Sequence, residues 1–365
     1  MRAFAATLGL LLLSAPAAAQ TLARTGIEPV PVPLFTVGSS VEEPGGFVVH
    51  GRDLATNTAR SIRVDGSNVS GGAGRLTSGI ARCGGATFVL VYERIDAGRG
   101  ARWRVQSGSG VTLHTLDGTL MGTRSVSLAC IGRTPTLAWH DTTRAHFVSV
   151  SSAGPASERV IPLGPGPVEG MTWVGAGSDE LYVVTRGRQT TIRRVGARGV
   201  VAERTLERSA DIVLALSPLS LLSARSTSAG AVLQSFSRAD LSPRDATVIP
   251  PSAPGRLVHV HGLSAGPREV AVVSVLEHWT GDDYVSIEQG PGEPDRFEPA
   301  ERSAHTLRLW RHVGGQLGPP VETDRARPGA GAWVGAQLVW VQGAEPHPHL
   351  SGRFHTARVL RFELR

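Results

Sequence analysis

Short runs of alternating apolar and polar residues recur along the whole chain, bounded by Gly, Pro, Asp and Ser. A period of two sends successive side chains to opposite faces of an extended strand, so each run predicts a β-strand. The strongest are residues 87–92, 180–184, 269–275 and 337–341. Each is preceded, across a turn, by a shorter strand: 80–84, 171–175, 257–262 and 331–335 respectively. A third alternating segment follows, ending in a turn with Gly or Asp. Residues 111–118 are the clearest copy, closing on Asp117-Gly118; others are 62–66, 146–150, 192–195, 232–236 and 307–310. No amphipathic helix is expected. Residues 209–223 have a brief helical pattern, but Pro218 interrupts it, and they fit the inner strands of a repeat.

Seven copies of this strand-strand-strand-turn order begin near residues 35, 79, 126, 169, 211, 256 and 328. A period of roughly 40–50 residues with four short strands is the signature of propeller blades. One such sheet cannot bury both faces alone, and radial packing covers them while leaving only short edges. The expected fold is therefore an all-β propeller of seven four-stranded antiparallel blades. Six or eight blades also fit, because the first and last copies look incomplete. Two β-sandwiches are the competing architecture, but they would repeat strands without repeating their order. The expected organisation is a leader over residues 1–19, an extension over 20–33 and one propeller over 34–365. Residues 34–37 are expected to pair with the last blade and close the ring.

The copies resemble the repeats of secreted bacterial β-propellers. The second strand of the repeat is matched by Phe88-Val89-Leu90-Val91-Tyr92-Glu93 and by Thr136-Leu137-Ala138-Trp139-His140-Asp141, and the turn by Leu116-Asp117-Gly118-Thr119-Leu120. The resemblance covers most of the chain. It implies a fold and, since such proteins are functionally mixed, no particular activity.

Export is predicted by the first residues. Met1-Arg2 is a short positive start, residues 8–13 are apolar, and Ala15-Pro16-Ala17-Ala18-Ala19 ends in an A-x-A cleavage pattern. The apolar part is shorter than the about 20 residues a membrane helix needs, and no other long apolar run follows. A periplasmic or secreted protein with no membrane span is expected. Cys83 and Cys130 are the only cysteines, and an even count in an exported chain favours a disulfide. The net charge is +6, and every Lys-or-Arg position is Arg. Arginine suits bidentate recognition of acidic groups, although a coding bias gives the same pattern. The arginines are scattered rather than striped, so nucleic acid is not an expected partner.

Three second-to-third-strand loops are expected to be long: 94–110, 278–304 and 343–356. In a closed ring they share one rim, and long loops on a rigid scaffold often bind ligands. Trp103 and Trp279 are candidates for stacking on sugar rings or peptides. His140, with Asp141 beside it, and Glu277-His278 fall at equivalent strand ends where the rim loops begin. His347 and His349 alternate, as do His259 and His261, so each pair points one way. The second loop is acidic, and Asp282 and Asp283 are candidate Ca²⁺ ligands, though the spacing matches no ordered calcium loop. No cofactor is predicted beyond that. No P-loop, dinucleotide fingerprint, H-E-x-x-H or G-x-S-x-G is present. The expected role is non-catalytic binding or scaffolding by a monomer that recognises an extracytoplasmic protein, peptide or glycan. The alternative is a glycan hydrolase or lyase using carboxylates and histidines near the central channel.

Overall fold

The computed structural model describes residues 21–365 except 44, 75–76, 96–99, 120–123, 152, 156–157, 165–167, 177–179, 210, 280–283, 288–295, 300–303, 324–328 and 347–352. The predicted leader at 1–19 lies outside the described residues. Among the described residues, seven antiparallel sheets are arranged in a ring as the blades of a β-propeller, and two further two-stranded hairpins lie outside them. The strands of each blade are lettered A to D from the channel outward. The A strands are Phe35–Glu43, Gly79–Cys83, Arg124–Ile131, Gly170–Ala176, Ile212–Leu216, Arg256–Ala265 and Ala330–Val334. They begin within a few residues of the seven predicted copy starts.

The seventh blade is built from both ends of the chain. Its A, B and C strands are Ala330–Val334, Gln337–Gln342 and Arg358–Leu364, and its D strand is Leu22–Pro29. Leu22 pairs with Leu364, and the ladder runs to Pro29 and Arg358. This corrects two expectations. Residues 22–29 are a propeller strand rather than an extension, and they close the ring. Residues 34–37 instead open blade 1, whose sheet is complete. The pairing is fixed by Arg361, which reaches Glu28 at 2.5 Å and the Gly66 carbonyl at 2.6 Å.

Blade 2 departs from expectation too. Its C strand is Gly100–Ser107, so most of the predicted long loop 94–110 is strand, and residues 112–118 belong to D, Thr112–Thr119. Ala101, Trp103 and Val105 face inward and are buried. Arg102 and Arg104 point outward to Asp117 (2.6 Å) and Glu93 (2.6 Å). Asp117-Gly118 is thus a cross-strand ion-pair position rather than a turn. Asp65-Gly66 does turn, with Gly66 at φ +54°, a region glycine enters without a Cβ penalty. Arg63, Arg194 and Arg361, on other C strands, likewise pair with Glu43, Glu180 and Glu28. Five of the 37 arginines are therefore placed in cross-strand ion pairs.

Apolar clusters fill six of the seven blade junctions among the described residues. Between blades 5 and 6, for example, Leu222, Leu233 and Ile249 meet Val260, Val273 and Trp310. Between 6 and 7, Val272 and Leu309 meet Leu338, Trp340 and Phe362. The others join blades 2–3, 3–4, 4–5 and 7–1. The junction of blades 1 and 2 is different. Polar contacts hold it: Glu43 with Arg82 at 3.5 Å and the Ser39 hydroxyl with that of Thr77 at 2.6 Å. The predicted disulfide is formed. Cys83 of blade 2 bonds Cys130 of blade 3, joining two inner strands.

Candidate functional site

One rim carries the starts of the A strands, the ends of the B strands and the B–C connections. At this rim, three consecutive blades bring charged and imidazole side chains together. Arg186 ends strand B of blade 4, Glu180–Arg186. Asp211 directly precedes strand A of blade 5. His259 lies on strand A of blade 6, and His278 near the end of its strand B, Val270–Trp279. The Asp211 carboxylate accepts from His259 Nδ1 at 3.2 Å and sits 3.6 Å from Arg186. The His278 ring stacks on His259, centroids 4.8 Å apart. His261 is held below the usual imidazole range by burial and by the positive potential of His259 and His278, with Asp211 opposing. A carboxylate that orients an imidazole beside a guanidinium suits it to bind polar or anionic groups, and to move a proton. His259 and Asp211 remain partly open to solvent, at 29% and 47% side-chain exposure. Among the described residues no group of three or more His, Cys, Asp or Glu is arranged to hold a metal ion.

The other predicted residues are placed differently. Strand alternation turns Glu277 to the opposite face from His278. Its carboxylate accepts from the Ser252 amide and hydroxyl, both at 2.7 Å, and lies 3.6 Å from Arg256. His140 ends strand B of blade 3 but is fully buried, its Nδ1 2.7 Å from the Asp141 carbonyl. Asp141 caps the turn that follows. Partial burial pushes its carboxyl up, amides of Thr143 and Arg144 and the His146 ring pull it down, and the balance lies at about 2. Trp103, expected in a rim loop, is packed in blade 2 beside Tyr92, with centroids 5.7 Å apart. Trp279 ends strand B of blade 6, paired through its backbone with Arg256. Asp282, Asp283, His347 and His349 lie outside the described residues. Asp211 and Arg186 were missed by sequence reading, because nothing local marks a rim residue as the partner of a histidine one or two blades away. Their matching positions at strand boundaries are the signal that was there.

Two B–C connections on this rim carry extra hairpins, in the adjacent blades 6 and 7. They are Tyr284–Ile287 with Arg296–Pro299, and Glu345–Pro346 with Phe354–His355. In blade 2, where the third long loop was expected, strand B runs to Ile95 and strand C starts at Gly100, its pairing partner.

Beneath the rim, His305 is buried between blades 6 and 7. It lies 2.7 Å from the Ser274 hydroxyl and 3.0 Å from that of Thr323, against Trp340. Burial pushes its imidazole down to about 3, with His261 adding like charge. The unfolded chain therefore binds this proton first as pH falls below about 6.5, and stability drops by up to about 1.4 kcal/mol per pH unit from there toward the folded value. His312, also buried and shifted down by burial, acts in the same direction. Urea unfolding is expected to give a stability about 2 kcal/mol lower at pH 5 than at pH 7.5, with a flatter profile for His305→Asn. An unchanged wild-type stability across this range would refute the assignment.

No family model matches the sequence, and no curated protein matches it. Solved structures do. A chain of the mitotic checkpoint complex is 12% identical over 98% of this chain and 99% of that one, with a TM-score of 0.52. The Dos1 propeller is 7% identical over 92% and 95%, with a TM-score of 0.49. Hydrazine synthase of Kuenenia stuttgartiensis is 9% identical over 68% and 77%, with a TM-score of 0.46. At these identities the likeness is one of fold.

Proposed function

We propose that this is an exported binding propeller that recognises a protein, peptide or glycan on the rim bearing the blade 6 and blade 7 hairpins. The observation that carries the reading is their placement. Two neighbouring insertions rise from the same rim as the open Arg186–Asp211–His259–His278 cluster, so a ligand can span loops and cluster together. Such a surface joins adaptable contacts to fixed hydrogen-bonding groups, as recognition requires. The disulfide fits an oxidising compartment. No helix among the described residues is long and apolar enough to cross a membrane.

The test is a glycan and peptide array screen with the mature protein. A variant with residues 280–303 replaced by a short Gly-Ser turn is expected to bind its hits at least tenfold more weakly, as is Asp211→Asn. Equal binding by all three proteins would defeat the proposal. The Asp211–His259 pair also favours a second reading, glycan hydrolysis or elimination with His259 as general base. Under it, His259→Gln abolishes turnover of an array-identified glycan while leaving its binding intact.

A further inference from the structure

No apolar cluster spans the junction of blades 1 and 2 among the described residues, and blade 1 opens there into a cleft. A cavity of about 380 Å³ opens there, within the size range of small-molecule sites. It is lined by Thr36, Val37, Gly38, Ser39, Arg52 and Thr77, among others. Strand A of blade 1 opens it by a bulge. Val37 pairs with Gly51 and Ser40 with Val49, so Gly38 and Ser39 together oppose His50. A bulge releases backbone groups from the ladder and re-aims side chains, and such sites cluster near function. The close approach is built in, since a Cβ on Gly38 would stand 2.8 Å from the His50 carbonyl oxygen.

The chemistry of the lining is one-sided. Hydroxyls come from Thr36, which donates to the Arg52 carbonyl at 3.1 Å, and from Ser39 and Thr77, which share one hydrogen bond and keep lone pairs for a ligand; His50 adds an imidazole and Arg52 a guanidinium. Among the described residues no carboxylate lines the cavity. Neighbouring Asp53 turns to the Ala55 amide and the Thr56 hydroxyl, each at 2.9 Å. Arg52 donates to Asn57 at 2.9 Å, which holds one nitrogen and orients the planar group. A fixed guanidinium among hydroxyls matches a carboxylate whose neighbouring atoms carry hydroxyl groups. From this we infer that the cavity binds an acidic sugar of the uronic acid class. The inference rests on the binding reading above and gives it a ligand chemistry. The cavity shares the rim with the hairpins, and the Ala344 amide of blade 7 donates to the Phe35 carbonyl at 2.6 Å beside it.

The experiment is calorimetric titration of the mature protein with glucuronate, galacturonate, glucose and N-acetyl-dialanine. Saturable binding of a uronate is expected, with glucose at least tenfold weaker because it lacks the charge. Arg52→Gln is expected to weaken uronate binding at least tenfold. Leu54→Trp, at an exposed lining position that tolerates substitution, is expected to block the cavity while keeping the wild-type melting temperature. Equal affinity for glucose, binding of the dipeptide alone, binding unaffected by either variant, or no binding at all would each overturn the inference. Array hits without uronate binding defeat this inference and spare the rim reading. Uronate binding that persists while the hairpin variant keeps every array hit does the reverse.

Discussion

A protein lacking residues 21–29 is expected to lose cooperative folding. These residues are the D strand of blade 7, and their removal acts at three levels. The ladder with Arg358–Leu364 is lost, at about 1 kcal/mol for each hydrogen bond left unmade. Arg361 loses both the carboxylate of Glu28 and the strand that covers it, keeping its bonds to the Gly66 carbonyl and to Gln337. Leu22 is withdrawn from the cluster that includes Leu360 and Phe362. The sum rivals the whole stability of an ordinary domain, about 5–15 kcal/mol. Thermal unfolding followed by circular dichroism should show a broad or absent transition, and gel filtration an expanded or aggregated species. A melting temperature within a few degrees of the full-length protein would refute this account of ring closure. The exposed edge of blade 7 also becomes a template for intermolecular pairing, so aggregation should outpace simple unfolding.

Loss of the Cys83–Cys130 bond is expected to be the second largest effect. The two residues are 47 apart in sequence, and closing a loop of that size restricts the unfolded chain by about 4 kcal/mol in the chain-entropy model. At about 2.1 cal/mol/K per residue, a chain of this length should melt roughly 5 °C lower. Beyond this effect on the unfolded chain, the bond ties the inner strands of blades 2 and 3, so local opening there is released as well. Native-state hydrogen exchange of a Cys83→Ser, Cys130→Ser double variant should therefore show the largest loss of protection in those two blades. A melting temperature equal to the wild type would count against the assignment.

Much of the architecture was legible because strand alternation and turn chemistry are local. The inner strands starting at Phe35, Gly79, Gly170, Ile212 and Arg256 stand where the repeat placed them, and the two cysteines met as their count and export context implied. Blade 2 was misread because Gly and Arg crowd residues 94–110 and mask the alternation of Ala101, Trp103 and Val105. The outward arginines looked like loop residues until Asp117 and Glu93 were seen opposite them. The same limit applies to the site. That His259 and His278 share a face follows from strand pairing, but their meeting with Asp211 and Arg186 does not.

The sequence by itself determined that this chain is made of repeated short-stranded sheets and where each begins, with their number between six and eight; the structure fixed it at seven. Periodicity and turn residues act over a few positions, and a repeat multiplies the signal. Only the tertiary structure decided how the ring closes, with Leu22–Pro29 beside Arg358–Leu364. It also decided which residues of different blades meet on the rim, and that the junction of blades 1 and 2 is polar and opens into a cleft. Those are contacts between residues distant in sequence. They depend on how blades turn and stack around the axis, and no local pattern encodes that.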